Sequence, residues 1–94
     1  MDLLECRNKL DVIDKQIVKL FEERMDICGK VAETKIATGK AVYDAEREKQ
    51  KLEAVSAMAG SDFNQIAVRE LFSQMMSISR KYQYSILAEH GRML

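Results

Sequence analysis

Apolar residues in the first third of the chain recur at alternating steps of three and four. Leu3, Cys6, Leu10, Ile13, Ile17 and Leu20 keep that rhythm, and Ile27 and Val31 lie further along the same stripe. Such spacing marks one face of an α-helix. It predicts a first helix from about Leu3 to Thr38. Two breaks follow, "TGKAV" around Gly39 and "AGSD" around Gly60, where Ser61 or Asp62 can cap a new helix. Asp62 and Gln65 also have capping-box spacing. Between the breaks a second helix is expected from about Asp44 to Ala59, with Ala45, Leu52 and Val55 as its apolar positions. A third runs from about Asp62 to Glu89, with Ile66, Leu71, Phe72, Met75, Met76, Tyr82 and Ile86.

The length of the first helix bears on assembly. About 36 residues at 1.5 Å each span roughly 54 Å. A compact chain of this size has a radius of gyration near 12–13 Å. One small monomer cannot bury so long a stripe. The expectation is an intertwined homodimeric bundle, with the first helices packed along each other.

Composition agrees with an all-α fold of three helices. The 94 residues include no proline and four glycines, and Ala, Leu, Glu, Lys, Arg and Met are frequent. The length suits one domain, residues 1–94. Fifteen basic and fifteen acidic residues cancel, which argues against a nucleic-acid or anionic-membrane surface. No apolar run approaches the roughly 18 residues of a membrane span, and "MDLLECRNKL" does not read as a signal peptide, so a cytoplasmic location is expected. Cys6 and Cys28 are 22 positions apart, about 33 Å along a straight helix, and cannot pair within it. His90 is the only histidine and no cysteine–histidine cluster exists to bind zinc, and no residue is assigned to a metal. A Ser-His-Asp triad would have to use that one residue.

Polar residues interrupt each apolar stripe. Arg24 takes a core-type position between Leu20 and Ile27. Lys35 lies eleven residues on, about 20° from the same face. Cys28 and Val31 stand between them, and Arg7 and Asp14 flank the stripe. In the third helix Ser79 and Gln83 continue the line from Phe72 to Ile86. In the second, Glu48 sits between Ala45 and Leu52. Each has an ordinary structural reading. Arg24 and Lys35 can snorkel, Ser79 can bond the carbonyl one turn back, and Gln83 can set register as a buried amide. Glu48 can pair with Lys51 at i+3. A single polar pocket accounts for all the interruptions together. It would hold cations from the first helix, a carboxylate from the second and neutral hydrogen-bonding groups from the third. Such a pocket suits a small dianion that carries a hydroxyl.

The pattern Arg7…Asp14…Arg24…Lys35…Asp44-x-x-Arg47-Glu48, then Ser79-x-x-x-Gln83, resembles the all-helical class of chorismate mutase. That class occurs alone or as the N-terminal domain of bifunctional prephenate-forming enzymes. The resemblance covers nearly the whole chain, and the segment from Arg24 through Glu48 is its most specific part. It implies an interlocked dimer with two sites, each built from both chains, and a conversion of chorismate to prephenate without a cofactor. By resemblance, Arg24 and Lys35 are site cations from one chain, and Arg7 reaches in from the other. Asp44 and Glu48 hold the substrate's ring hydroxyl, Ser79 and Gln83 complete the pocket, and Arg47 supports it. The reaction is an intramolecular [3,3] rearrangement that needs no nucleophile. Lys35 and Gln83 are the candidate catalytic donors to the ether oxygen. Two readings compete. Related helical enzymes cleave isochorismate to salicylate and pyruvate, and a non-catalytic dimerisation module would use its polar intruders only for register.

Overall fold

A computed structural model describes residues 1–93. Helix α1 spans Leu3–Ala37, α2 spans Ala45–Met58 and α3 spans Asp62–Met93. There is no strand among the described residues. The three expected helices form, and α3 runs one turn beyond its expected end at Glu89.

The ends follow local chemistry. Asp2 Oδ1 accepts the Glu5 N–H at 2.8 Å, which caps α1. At the other end Gly39 adopts φ 69°. The Gly39 and Lys40 N–H groups then bond back to the Ile36 and Lys35 carbonyls, at 3.3 and 2.8 Å. This is a Schellman closure, and its left-handed residue favours glycine. Asp44 is the N-cap of α2 rather than its first residue, its Oδ1 accepting the Arg47 N–H at 3.0 Å. Ser61 caps α3 through the Asn64 N–H at 3.1 Å. The Asp62–Gln65 capping box does not form, because the Gln65 amide instead donates to the Ala59 carbonyl.

Helix α3 packs against both α1 and α2, whereas α1 and α2 do not pack on each other. Gly29 allows the close α1–α3 approach, since a Cβ there would meet the Tyr82 ring and hydroxyl at 3.3 Å. The core is small. Ala32, Val42, Val55 and Met76 are its buried apolar residues, and no large side chain is fully enclosed.

The face of α1 turned to α3 carries Phe21, Arg24, Met25, Cys28, Gly29, Ala32 and Ile36. It is rotated from the stripe read in the sequence. Leu10, Ile13, Ile17, Leu20 and Ile27 are 48–62% exposed in the single chain. On α3, Ile66, Leu71 and Tyr82 are exposed too, while Phe72, Met75 and Ile86 are half-buried. The molecule measures 58 × 26 × 14 Å with a radius of gyration of 16.8 Å. That is well above the ~12 Å of a compact chain of its length. No helix among the described residues is long and apolar enough to cross a membrane.

Candidate functional site

Where α3 passes the C-terminal half of α1 and the start of α2, a cavity of about 180 Å³ opens. Its wall gathers Arg24 and Lys35 from α1, Asp44 from the cap of α2, Arg47 and Glu48 from α2, and Ser79 and Gln83 from α3. Seven of the eight residues to which the resemblance gives a site role therefore meet at one place. The eighth, Arg7, lies about 25 Å back along α1 from Arg24 and is solvent-exposed in the chain.

Most of these side chains are fixed by one contact and keep capacity for another. Arg24 Nη1 donates to Ser79 Oγ at 2.8 Å and contacts Cys28 Sγ at 3.7 Å, which leaves the Nε and Nη2 edge for a ligand. The Lys35 ammonium donates to the Val42 carbonyl at 2.8 Å and has two further N–H donors. Gln83 Nε2 donates one N–H to the Cys28 carbonyl at 3.0 Å and keeps a second. Asp44 commits one carboxylate oxygen to its cap.

Ser79 differs. Its hydroxyl accepts from Arg24 and donates to the Met75 carbonyl at 2.8 Å, the bond one turn back that its position in a helix suggests. It fixes Arg24 and has little left for a ligand. Ser79 and Gln83 are 5% and 8% exposed, so two polar side chains occupy the packing face of α3. Both are satisfied, as are the other buried side-chain nitrogens and oxygens of the described residues.

Charge is uneven here. The wall carries five cations, Arg24, Lys35, Arg47, Lys51 and Arg80, against two carboxylates, Asp44 and Glu48. The whole chain is formally neutral. Asp44 and Glu48 stand at the N-terminal end of α2, where the helix dipole favours negative charge. Lys35 stands in the last turn of α1, where it favours positive charge. The arrangement is fitted to bind an anion through the cations and a hydroxyl through the carboxylates. Among the described residues no His, Cys, Asp or Glu group is placed to hold a metal ion.

Glu48 does not pair with Lys51. Its partner is Arg80, whose Nη1 is bonded to Glu48 Oε1. Helical spacing within α2 made Lys51 the local choice, but the packing of α3 supplies a cation across the cavity. Arg80 also lies over the Tyr43 ring, 5.1 Å from its centroid. The hydrogen bond to Glu48 is the largest influence raising the Arg80 guanidinium above its ordinary value, against the opposing effect of burial. Arg80 is the site residue that the sequence reading missed. It lies one position past Ser79, off the apolar line, and looks like a surface cation. Its spacing of three before Gln83 was the available signal. Cys6 and Cys28 are free thiols, as their separation required.

Residues 6–84 match the family model described as chorismate mutase type II. The chain is similar to the chorismate mutase of Methanocaldococcus jannaschii, 47% identical over 47 residues that cover 50% of this chain and 48% of that one. It is also similar to the bifunctional chorismate mutase/prephenate dehydratase of Buchnera aphidicola subsp. Schizaphis graminum, 32% identical over 87 residues that cover 92% of this chain and 23% of the relative. The enzyme of that name from Aquifex aeolicus is 28% identical over 94 residues, covering 92% of this chain and 26% of the relative. Each match spans less than half of the relative's length.

Proposed function

Because the chain belongs to the chorismate mutase type II family, we propose that it converts chorismate to prephenate at the cavity between its three helices. The observation that carries this reading is the charge of the cavity wall, five cations to two carboxylates in a neutral chain. Chorismate is a dianion with a ring hydroxyl, and both features have counterparts on that wall.

The rearrangement breaks a C–O bond as a C–C bond forms within one molecule. It requires no proton transfer and no covalent intermediate. A protein accelerates it by holding the enolpyruvyl arm over the ring and by stabilising the charge that grows on the ether oxygen. Arg24 presents the unspent edge of its guanidinium to a substrate carboxylate, a planar match that an ammonium lacks. Arg7 of a second copy serves the other carboxylate, and Arg47 supports the site. Asp44 and Glu48 hold the ring hydroxyl, whose single proton is donated to Glu48. Lys35 and Gln83 donate their remaining N–H groups to the ether oxygen. That interaction strengthens as the bond breaks, so it raises turnover rather than only affinity.

Two features support a homodimer with shared sites. The apolar row Leu10, Ile13, Ile17, Leu20 and Ile27 is uncovered in the single chain. The N-terminal half of α1 projects beyond α2 and α3, giving a 58 Å molecule with little core of its own. A second copy packed along that row buries it and brings an Arg7 towards the cavity.

The test follows chorismate loss by absorbance and identifies the product. Prephenate is expected, and Lys35→Ala should lower turnover about 100- to 1000-fold, the range for losing one donor to developing charge, with helical circular dichroism retained. Salicylate and pyruvate from isochorismate, with no prephenate from chorismate, would instead assign a lyase. Full activity in Lys35→Ala would overturn the mechanism.

A further inference from the structure

The Glu48–Arg80 pair joins α2 to α3 in the wall of the cavity, and neither residue is exposed like an ordinary surface ion pair. Their side chains are 23% and 28% exposed. The contact engages one carboxylate oxygen, Oε1. On its other side Arg80 lies against Tyr43, in the loop that leads into the α2 cap. The same loop is tied to α1 by the Lys35–Val42 bond. One guanidinium thus contacts the loop, α2 and the cavity wall at once.

Resting on the reading of the site given above, we propose that Arg80 is a positioning residue for hydroxyl recognition: stacked on Tyr43, it holds Glu48 by Oε1 and leaves Oε2 to accept the substrate's ring hydroxyl.

The alternatives differ in chemistry. A carboxylate at position 48 without a partner is a flexible side chain with several rotamers, and ordering it on binding weakens affinity. Pairing with Arg80 places that cost in the folding of the empty protein. A cation that contacted the substrate directly would act through the substrate carboxylates, independently of Glu48. A cation that only stabilised the α2–α3 packing would change the melting temperature and leave the Michaelis parameters of the folded enzyme alone. The ring hydroxyl is not part of the reacting bonds, so its binding serves ground state and transition state alike. Loss of Arg80 therefore appears chiefly in KM.

The experiment measures kcat and KM for chorismate in four proteins, wild type, Arg80→Ala, Glu48→Gln and the double variant, with Arg80→Lys as the conservative control. Arg80→Ala is expected to raise KM about tenfold with kcat within about threefold, the pattern of lost uniform binding. Arg80→Lys should recover most of the loss, since an ammonium can reach Oε1 though it stacks less well on the ring. The decisive comparison is the cycle. In the Glu48→Gln background the further change Arg80→Ala should alter kcat/KM by less than about twofold, because the pair acts as one unit. Independent, multiplying losses would overturn the proposal, and so would an Arg80→Ala enzyme with wild-type KM. A wild type that does not turn over chorismate would sink the functional reading itself, and this proposal with it. Melting curves of all five proteins separate a kinetic loss from a failure to fold.

Discussion

Arg24 and Ser79, 55 positions apart in the chain, are joined by a 2.8 Å hydrogen bond, and the Ser79 hydroxyl donates its own hydrogen bond to the Met75 carbonyl. The serine is therefore a bracket for the arginine, and the two should fail unequally. Ser79→Ala is expected to lower kcat/KM about fivefold, the worth of one hydrogen bond of ~1 kcal/mol. Arg24→Ala removes a substrate contact and should cost on the order of 100-fold or more. Steady-state kinetics on the two variants, with circular dichroism to confirm the fold, decide this. Equal losses would contradict the bracket role.

Gln83 supplies its N–H donors at any ordinary pH, so turnover of the wild type should vary little around neutrality. Gln83→Glu should behave otherwise. Position 83 is 8% exposed and faces the Cys28 carbonyl, and both features disfavour a charged carboxylate there. The folded-state pKa of the new glutamate should rise above its ordinary ~4.3. Only the protonated form donates, so turnover should fall as pH climbs through that raised value. Stability has the same sign: the variant's fold is unpenalised below the unfolded pKa and loses stability as pH rises through the folded one. Profiles of kcat against pH for both proteins check the prediction, and a flat profile in Gln83→Glu would remove Gln83 from the ether-oxygen role.

Arg7 lies outside the cavity of its own chain, so the shared-site dimer makes a distinctive prediction. Arg7→Ala and Lys35→Ala should each be nearly inactive. Mixed after unfolding and refolded together, half of the dimers are mixed and each has one intact site. Activity should return to about a quarter of wild type for random pairing in a two-fold dimer. Ile17→Asp should disrupt the assembly, read by sedimentation. Two inactive variants that stay inactive when mixed would argue that each site is complete within one chain.

At Gly29 two effects oppose each other. An alanine gains about 1 kcal/mol of helix propensity, yet its Cβ would approach the Tyr82 ring at 3.3 Å. Tyr82 is 41% exposed and can yield by a few tenths of an ångström. Gly29→Ala should therefore change stability by less than about 1 kcal/mol. Gly29→Leu should cost roughly 1–3 kcal/mol by forcing α1 and α3 apart. Urea denaturation of both variants measures the difference.

Much of this fold was legible because helices are local. The caps at Asp2 and Ser61 and the turn at Gly39 depend on residues within a few positions of each other. They set three helices close to the expected bounds. The interruptions of the stripes by Arg24, Lys35, Glu48, Ser79 and Gln83 were likewise visible in order, since burying such groups without partners is costly. The family pattern joined Asp44 and Arg47 to them, and in the chain all seven line one wall.

What the sequence by itself determined is the set of helices and the list of polar groups that had to find company. Which group pairs with which was decided only by tertiary structure. Lys51 was the near partner for Glu48, but Arg80 arrives from α3, 32 positions away. Ser79 turned out to serve Arg24, and Gln83 to bond a backbone carbonyl of α1. Periodicity records the direction of a side chain about its own helix axis. It carries no information on the rotation and height at which a second helix packs beside it. Those two quantities come from the fit of whole surfaces, such as the close approach of Gly29 to Tyr82 between α1 and α3, and they decide which long-range partners meet.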